Sequence, residues 1–122
     1  AYLNEIQKRY KEAKKETITF INMIINKGFK DIIFYGAGEV AEILLQTIND
    51  DKSIPINIVG IIDDDINKQG ETIVNYVINS SNIISSTNHD AIMIASYTNY
   101  ETIYNKLMDM NYPKDKIIYF FE

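Results

Sequence analysis

The segment that most constrains the fold of this chain is residues 31–42, which read DIIFYGAGEVAE. Four apolar residues run directly into Gly36-Ala37-Gly38, and apolar residues then recur at helical spacing. This order predicts a buried parallel strand, a tight glycine turn and a helix, which is the opening of a βαβ nucleotide-binding unit. Gly36 permits the sharp turn, and Gly38 lets the backbone approach a phosphate without a Cβ in the way.

The glycine turn and the first turn of the helix supply the predicted phosphate contacts. A helix start carries unpaired N–H groups and the positive end of the helix dipole, and both attract an anion. The expected backbone donors are Gly36, Ala37, Gly38, Glu39 and Val40. The side chain of Glu39 is unfavourable beside a phosphate, so we expect it to point to solvent.

A second strand, residues 58–62, ends in Asp63-Asp64-Asp65. In a dinucleotide site an acid about 20 residues past the glycines accepts hydrogen bonds from ribose hydroxyls, and Asp63 has this place. Asp64 is a second cofactor-binding candidate, although Asp64 and Asp65 also suit a plain turn because they lack the spacing of a calcium loop. An acid here repels a 2′-phosphate, which favours NAD(H) over NADP(H). The alternative is that the loop and the acid only cap a structural sheet.

Two more groups complete the candidate site. Lys68 lies in the polar loop 66–70, from which it either swings towards a bound phosphate or stays solvated. Ser96 and Tyr97 follow a strand, residues 91–95, at its carboxyl end, where ligands bind in open α/β sheets. Ser96 and Tyr97 are therefore expected to face the same cleft as the glycine turn.

The composition excludes several other kinds of function. A net charge of −5 and the lack of a basic stripe argue against nucleic acid or an anionic membrane as the partner. No apolar run approaches the roughly 20 residues that span a bilayer. The absence of cysteine excludes disulfides, thiolate metal sites and cysteine nucleophiles, and it fits a cytoplasmic protein. With one histidine and no nucleophile beside a base, the sequence predicts neither catalytic residues nor a metal site.

The first part of the chain, residues 1–28, is predicted to be a helix that precedes a domain at 29–122. One stripe of this helix repeats at spacings of three and four and consists of Leu3, Ile6, Tyr10, Ala13, Thr17, Phe20 and Ile24. The helix is about 40 Å long, more than a small domain needs for its own packing. Its C-terminal half is expected to dock on the sheet. Its N-terminal half is expected either to overhang as a dimerisation arm or a connection to a further domain, or to fold back on its own domain.

The remaining segments complete a layered α/β pattern. They predict a short strand or hairpin at 72–78, a short helix at 80–86, a helix at 100–110 and a final strand at 116–121. The predicted fold is a three-layer, Rossmann-like α/β domain with a long N-terminal helix. Its mostly parallel sheet has about five strands in the order 3-2-1-4-5.

The run YGAGEVAE followed by IVGIIDDDINKQG resembles the Rossmann-like N-terminal domain of nucleotide-sugar dehydratases and epimerases of polysaccharide biosynthesis. It is equally similar to the related CoA-binding-like domains attached to sugar acyltransferases and methyltransferases. The resemblance covers about residues 30–121. It implies that Gly36, Gly38 and Asp63 hold the nucleotide and that Lys68 and Gly70 shape the loop around it. Those enzymes carry a second, catalytic domain with its own glycine motif and Tyr/Lys pair, and this sequence contains neither.

Three hypotheses for the function follow. The first is a nucleotide-binding module for NAD(H) or a nucleotide-sugar that performs no chemistry alone. The second is a piece of an NAD-dependent nucleotide-sugar dehydratase, epimerase or reductase. The third is a structural interaction domain that lost its ligand, which predicts a crevice filled by side chains such as Glu39 or Tyr97. The fold alone does not separate them, because function belongs to the site.

Overall fold

The centre of the domain is a sheet of mostly parallel strands with helices on both faces. The computed structural model describes residues 2–119, except for the side chains at 2, 3, 6 and 9–14. The helices are α1 Tyr2–Asn26, α2 Glu39–Asp50 and α3 Tyr100–Asp109. The strands are β1 Asp31–Tyr35, β2 Asn57–Ile62, β3 Thr72–Ile73, β4 Tyr76–Asn79, β5 Ala91–Ile94 and β6 Ile117–Tyr119.

Within the described residues, the sheet has six strands in the order β3-β4-β2-β1-β5-β6. Neighbouring strands are parallel except for β3 and β4. The predicted sheet of about five strands therefore needs one correction, since β3 is an additional strand outside β4. The physical reason is a tight hairpin. Val74 and Asn75 have φ angles of 48° and 69°, and two successive positive φ angles close a two-residue turn.

The helices form two layers that bury β1 between them. One face packs Ile21 and Ile24 of α1 with Leu44, Leu45 and Ile48 of α2, and the other packs Ile103 and Leu107 of α3. Ile32, Ile33 and Phe34 of β1 have no exposed surface. A run of apolar residues without alternation is what a central parallel strand requires, because it is covered on both faces.

The C-terminal half of α1 packs in the core of the first face, where Thr17, Phe20 and Ile24 are buried. The other side chains of the predicted stripe, which are Leu3, Ile6, Tyr10 and Ala13, lie outside the described residues. Dimerisation through this helix therefore stays a prediction. In the described part of the chain, no helix combines the length and apolar character needed to cross a membrane.

Some element bounds differ from the predicted ones. Strand β2 begins at Asn57, one residue before the predicted start at 58, and helix α3 ends at Asp109, one residue before the predicted end at 110. The predicted helix at 80–86 is a 3₁₀ helix, Ser81–Ser85, with backbone bonds that span three residues, from the N–H of Ile83 to the carbonyl of Ser80 and from the N–H of Ser86 to the carbonyl of Ile83. Strand β6 is described as far as Tyr119, and residues 120–122 of the predicted last strand lie outside the described residues.

Asp90 ties the start of β1 to the start of β5. Its Oδ2 accepts the backbone N–H groups of Lys30 and Asp31, both at 2.9 Å. The N–H of Asp90 donates in return to the carbonyl of Asp31 at 2.7 Å. The backbone bonds from Asp31 and Lys30 favour the ionised carboxylate and lower the pKa of Asp90.

We expect Asp90→Asn to lower the melting temperature by a few degrees at pH 7, because an amide accepts these bonds without the charge. The pKa of Asp90 is lower in the folded state than in the unfolded chain, where it is about 4. The ionised carboxylate therefore stabilises the fold fully above about pH 4, and this stabilisation is lost as the pH falls through the folded-state pKa. The difference between wild type and Asp90→Asn should therefore close below about pH 4 in calorimetric scans. Asp115→Asn, at an exposed aspartate, is the matched control. A difference that persists unchanged at pH 3 would contradict this account.

Candidate functional site

A cleft of about 430 Å³ opens at the carboxyl ends of β1, β2 and β5. All ten of the predicted site residues line it, namely Gly36, Ala37, Gly38, Glu39, Val40, Asp63, Asp64, Lys68, Ser96 and Tyr97. The structure adds Tyr35, Asp65, Ala95, Thr98, Asn99, Thr102 and Ile103 to the lining. The sequence thus predicted the three loops that line the cleft. It did not predict the lining residues at the end of β1, Tyr35, and on α3, Thr102 and Ile103.

The glycine turn depends on Gly36 in two ways. Its φ of +114° is a conformation that residues with a side chain rarely adopt. A Cβ at this position would also lie 3.1 Å from the carbonyl carbon and oxygen of Ala95 and from Cβ of Ser96. The turn therefore fits closely against the end of β5. On the other side, the N–H of Gly36 donates to the carbonyl of Ile62 at 2.7 Å.

Gly38 is different, because its backbone is ordinary and the space beside it is open. Its φ is −105°, and a Cβ there would meet no atom within 4 Å. Gly38 is the N-cap residue of α2, and no described side chain caps this helix start. The start of α2 thus borders the cleft with room for a ligand beside it.

Asp63 is bonded to the glycine turn itself. Its Oδ2 accepts the N–H of Ala37 at 2.9 Å, and its Oδ1 accepts the N–H of Asp65 at 2.8 Å. Lys68 Nζ lies 3.9 Å from Oδ2 of Asp63 and 3.5 Å from the carbonyl oxygen of Ala37. The N–H of Ala37, a predicted phosphate donor, therefore has a partner within the protein.

Asp64 joins two side chains that the sequence reasoning missed. The hydroxyl of Tyr35 donates to both carboxylate oxygens of Asp64 at 2.8 Å, and Lys106 Nζ donates to Oδ1 at 2.9 Å. Tyr35 is the last residue of β1, directly before the glycine turn. Lys106 follows Thr102 by one helical turn on α3. Two sequence signals could have found them: Tyr35 ends the strand before the glycine turn, and Lys106 lies one turn after Thr102 on the helix that follows the Ser96-Tyr97 loop.

Tyr35 and Lys106, the two partners of Asp64, are poorly suited to act as general bases. Burial, followed by the bond to Asp64, raises the pKa of Tyr35 to about 12. The hydrogen bond to Asp64 also raises the pKa of Lys106. Both groups therefore hold their protons at neutral pH, whereas a general base needs a pKa near the working pH.

The opposite wall is formed by the start of α3. Asn99 is the N-cap residue of α3 and makes no side-chain capping bond, while its N–H donates to Ser96 Oγ at 3.1 Å. Tyr97 is 72% exposed, and Glu39 is exposed as well. The hypothesis of a structural domain that lost its ligand predicts a crevice filled by Glu39 or Tyr97, and neither side chain fills the cleft.

The single histidine lies outside the cleft lining. His89 Nε2 is 2.9 Å from the hydroxyl of Tyr112, and Nδ1 is 2.6 Å from the carbonyl oxygen of Thr87. Its ring stacks on Tyr112, with the ring centres 5.8 Å apart. Among the described residues, no three His, Asp or Glu side chains are grouped so as to hold a metal ion.

Residues 28–118 match the protein family described as C2185-like, N-terminal. The chain belongs to this family. The matched segment covers the glycine turn, the three aspartates, Lys68 and the Ser96-Tyr97 wall, so the whole cleft of this C2185-like domain lies within it. No curated protein matches the chain.

A solved structure shares the architecture of this C2185-like domain. It is the UDP-D-quinovosamine 4-dehydrogenase from Vibrio fischeri, with a TM-score of 0.55 and 14% sequence identity. The superposition covers 74% of this chain and 76% of that chain. The likeness confirms the Rossmann-like fold that the sequence predicted.

We expect Gly36→Ala to lower the free energy of unfolding by about 1–3 kcal/mol, because it forces a side chain into a strained φ and against Ala95. Gly38→Ala is the matched control two residues away. It should cost less than about 1 kcal/mol, since its backbone and surroundings accept a methyl group. Urea denaturation of both variants measures the difference. Equal losses would contradict the role assigned to Gly36.

Proposed function

We propose that this chain is a nucleotide-binding module that holds NAD(H) or a nucleotide-sugar in the cleft. The observation that carries the proposal is the cleft itself, which opens at the carboxyl ends of parallel strands beside the glycine turn. This is where open α/β folds bind nucleotides. A role in nucleotide-sugar or polysaccharide biosynthesis follows from the sequence resemblance and is part of the proposal.

The phosphates of the ligand would lie at the start of α2. The helix start carries no side-chain cap, and the space beside Gly38 is open. Unpaired N–H groups of the first helical turn bind anions in such a position. Lys68, which lines the same cleft 3.9 Å from Asp63, supplies a positive charge within reach of a phosphate.

The acids at the end of β2 favour hydroxyl groups over a further phosphate. Asp63, Asp64 and Asp65 line the cleft together with Glu39, while Lys68 is the one basic residue in the lining as the structure describes it. A 2′-phosphate placed beside these carboxylates would be repelled. NAD(H) or a nucleotide-sugar is therefore a better ligand than NADP(H).

The module is proposed to bind without catalysing a reaction alone. The groups nearest to a catalytic arrangement are Tyr35 and Asp64 in the cleft and Lys106 beside Asp64, and the pKa of about 12 for Tyr35 leaves it a poor base. If the chain works within an NAD-dependent dehydratase, epimerase or reductase, the reacting groups would come from another domain. The open cleft favours binding over a structural domain that lost its ligand.

We expect a thermal-shift panel to identify the ligand class, using NADH, NADPH, UDP-glucose and coenzyme A. A ligand at 100 times its dissociation constant stabilises the folded state by about 2.7 kcal/mol, which is several degrees for a domain of this size. NADH or UDP-glucose should give this shift, and NADPH should give less because of its 2′-phosphate.

Gly38→Asp tests whether the shift comes from the start of α2. Aspartate is a preferred N-cap residue, so the unliganded variant should be as stable as the wild type. Its charge should nevertheless abolish the shift by repelling the phosphates. Gly38→Asn, with nearly the same volume and no charge, is the control and should retain part of the shift. The proposal fails if no ligand stabilises the wild type, or if Gly38→Asp binds as well as Gly38→Asn.

A further inference from the structure

Asp63 and Asp64 are adjacent in the chain, but their carboxylates have different partners. Both oxygens of Asp63 accept backbone N–H groups, one from Ala37 and one from Asp65. Asp64 accepts only side-chain donors in the described structure, from Tyr35 and Lys106. The side chain of Asp63 is 17% exposed and that of Asp64 is 41% exposed.

The bonds of Asp63 hold the glycine turn in place. If a ligand hydroxyl turned this carboxylate away, the N–H groups of Ala37 and Asp65 would lose their acceptors, and both lie in turns that shape the cleft. Lys68 occupies the same region, 3.9 Å from Oδ2. Asp63 therefore offers a ligand little accessible surface, since its side chain is 17% exposed and its bonds are committed to the two turns.

Asp64 is anchored and still accessible. Tyr35 is 1% exposed and reaches it from the rigid end of β1, while Lys106 reaches it from α3. These two contacts fix the orientation of the carboxylate, and Lys106 balances its charge. A carboxylate accepts about four hydrogen bonds, and the side chain of Asp64 is 41% exposed where it lines the cleft, so its remaining acceptor sites are open to a ligand.

We propose that Asp64, and not Asp63, accepts the hydrogen bonds of the ribose hydroxyls of the ligand, and that Asp63 is a positioning residue for the glycine turn. This inference rests on the proposed function and deepens it. It assigns the specificity for an unmodified ribose to a carboxylate oriented by Tyr35 and charge-balanced by Lys106. Sequence spacing alone assigns the ribose to Asp63 and makes Asp64 a second candidate, so the inference reverses that order.

The two amide substitutions should behave differently without any ligand. In Asp63→Asn the amide group must face a backbone N–H, either that of Ala37 or that of Asp65, so one bond is lost in either orientation. In Asp64→Asn the remaining oxygen still accepts from Lys106, and the amide nitrogen can donate to the hydroxyl oxygen of Tyr35. Asp63→Asn should therefore melt several degrees below the wild type, and Asp64→Asn should melt close to it.

The ligand test uses titration calorimetry with ADP and UDP, the nucleotide halves of the two ligand classes, and with their 2′-deoxy and 3′-deoxy forms. The wild type should bind at least one ribonucleotide about tenfold more tightly than its deoxy forms, which is the scale of a charge-assisted hydrogen bond. Asp64→Asn should lose this preference. Asp63→Asn should bind both forms more weakly and keep the ratio between them.

The possible failures are distinguishable. If Asp63→Asn removes the preference for ribose and Asp64→Asn keeps it, the assignment is reversed and the inference is wrong. If the wild type binds ADP or UDP without any preference for ribose, the inference is wrong and the proposed function stands. If the wild type binds neither nucleotide and no member of the thermal-shift panel, the proposed function and the role of Asp64 fail together. The melting temperature of unliganded Asp63→Asn decides the positioning role independently.

Discussion

The hydrogen bond from the N–H of Ala37 to the carboxylate of Asp63 joins the two loops on which the cleft depends. It holds the glycine turn from the side of β2, while the close fit of Gly36 against Ala95 holds it from the side of β5. The turn is thereby fixed between its two neighbouring strands. The start of α2 takes its position from this turn, and so does any ligand bound there.

Several acids line a cleft that is proposed to bind an anionic ligand. Two lysines beside these acids reduce the charge repulsion between them and such a ligand. Lys68 lies beside Asp63, and Lys106 is bonded to Asp64. Exposed ion pairs contribute less than about 1 kcal/mol to stability, so their importance here is local. Each lysine reduces the negative potential at one carboxylate, and Lys106 also connects α3 to the end of β2.

The fold and the lining of the cleft could be largely predicted, because an apolar strand, a glycine turn and a strand ending in acids are local patterns. The partners of Asp64 could not, since Tyr35 and Lys106 lie 29 and 42 residues away and meet it only in the folded chain. The sequence also left open whether residues 72–78 form a single short strand or a hairpin. Valine is rare at a positive φ, and nothing local marks Val74 as a turn residue.

Aspartates hold both ends of the central strand, Asp90 at its start and Asp63 at the turn that follows it. Core strands are in general the part of a domain with the highest free energy of local opening. The β3–β4 hairpin differs in having two residues in its outer strand and a turn with Val74 at a φ of 48°, which are features of lower local stability. Lys68 and Gly38 face this side through a neighbouring hollow lined by Ile73 and Val74. The central strand is thus tied at both ends, whereas the wall of the cleft beside the hairpin is built on an outer strand of two residues.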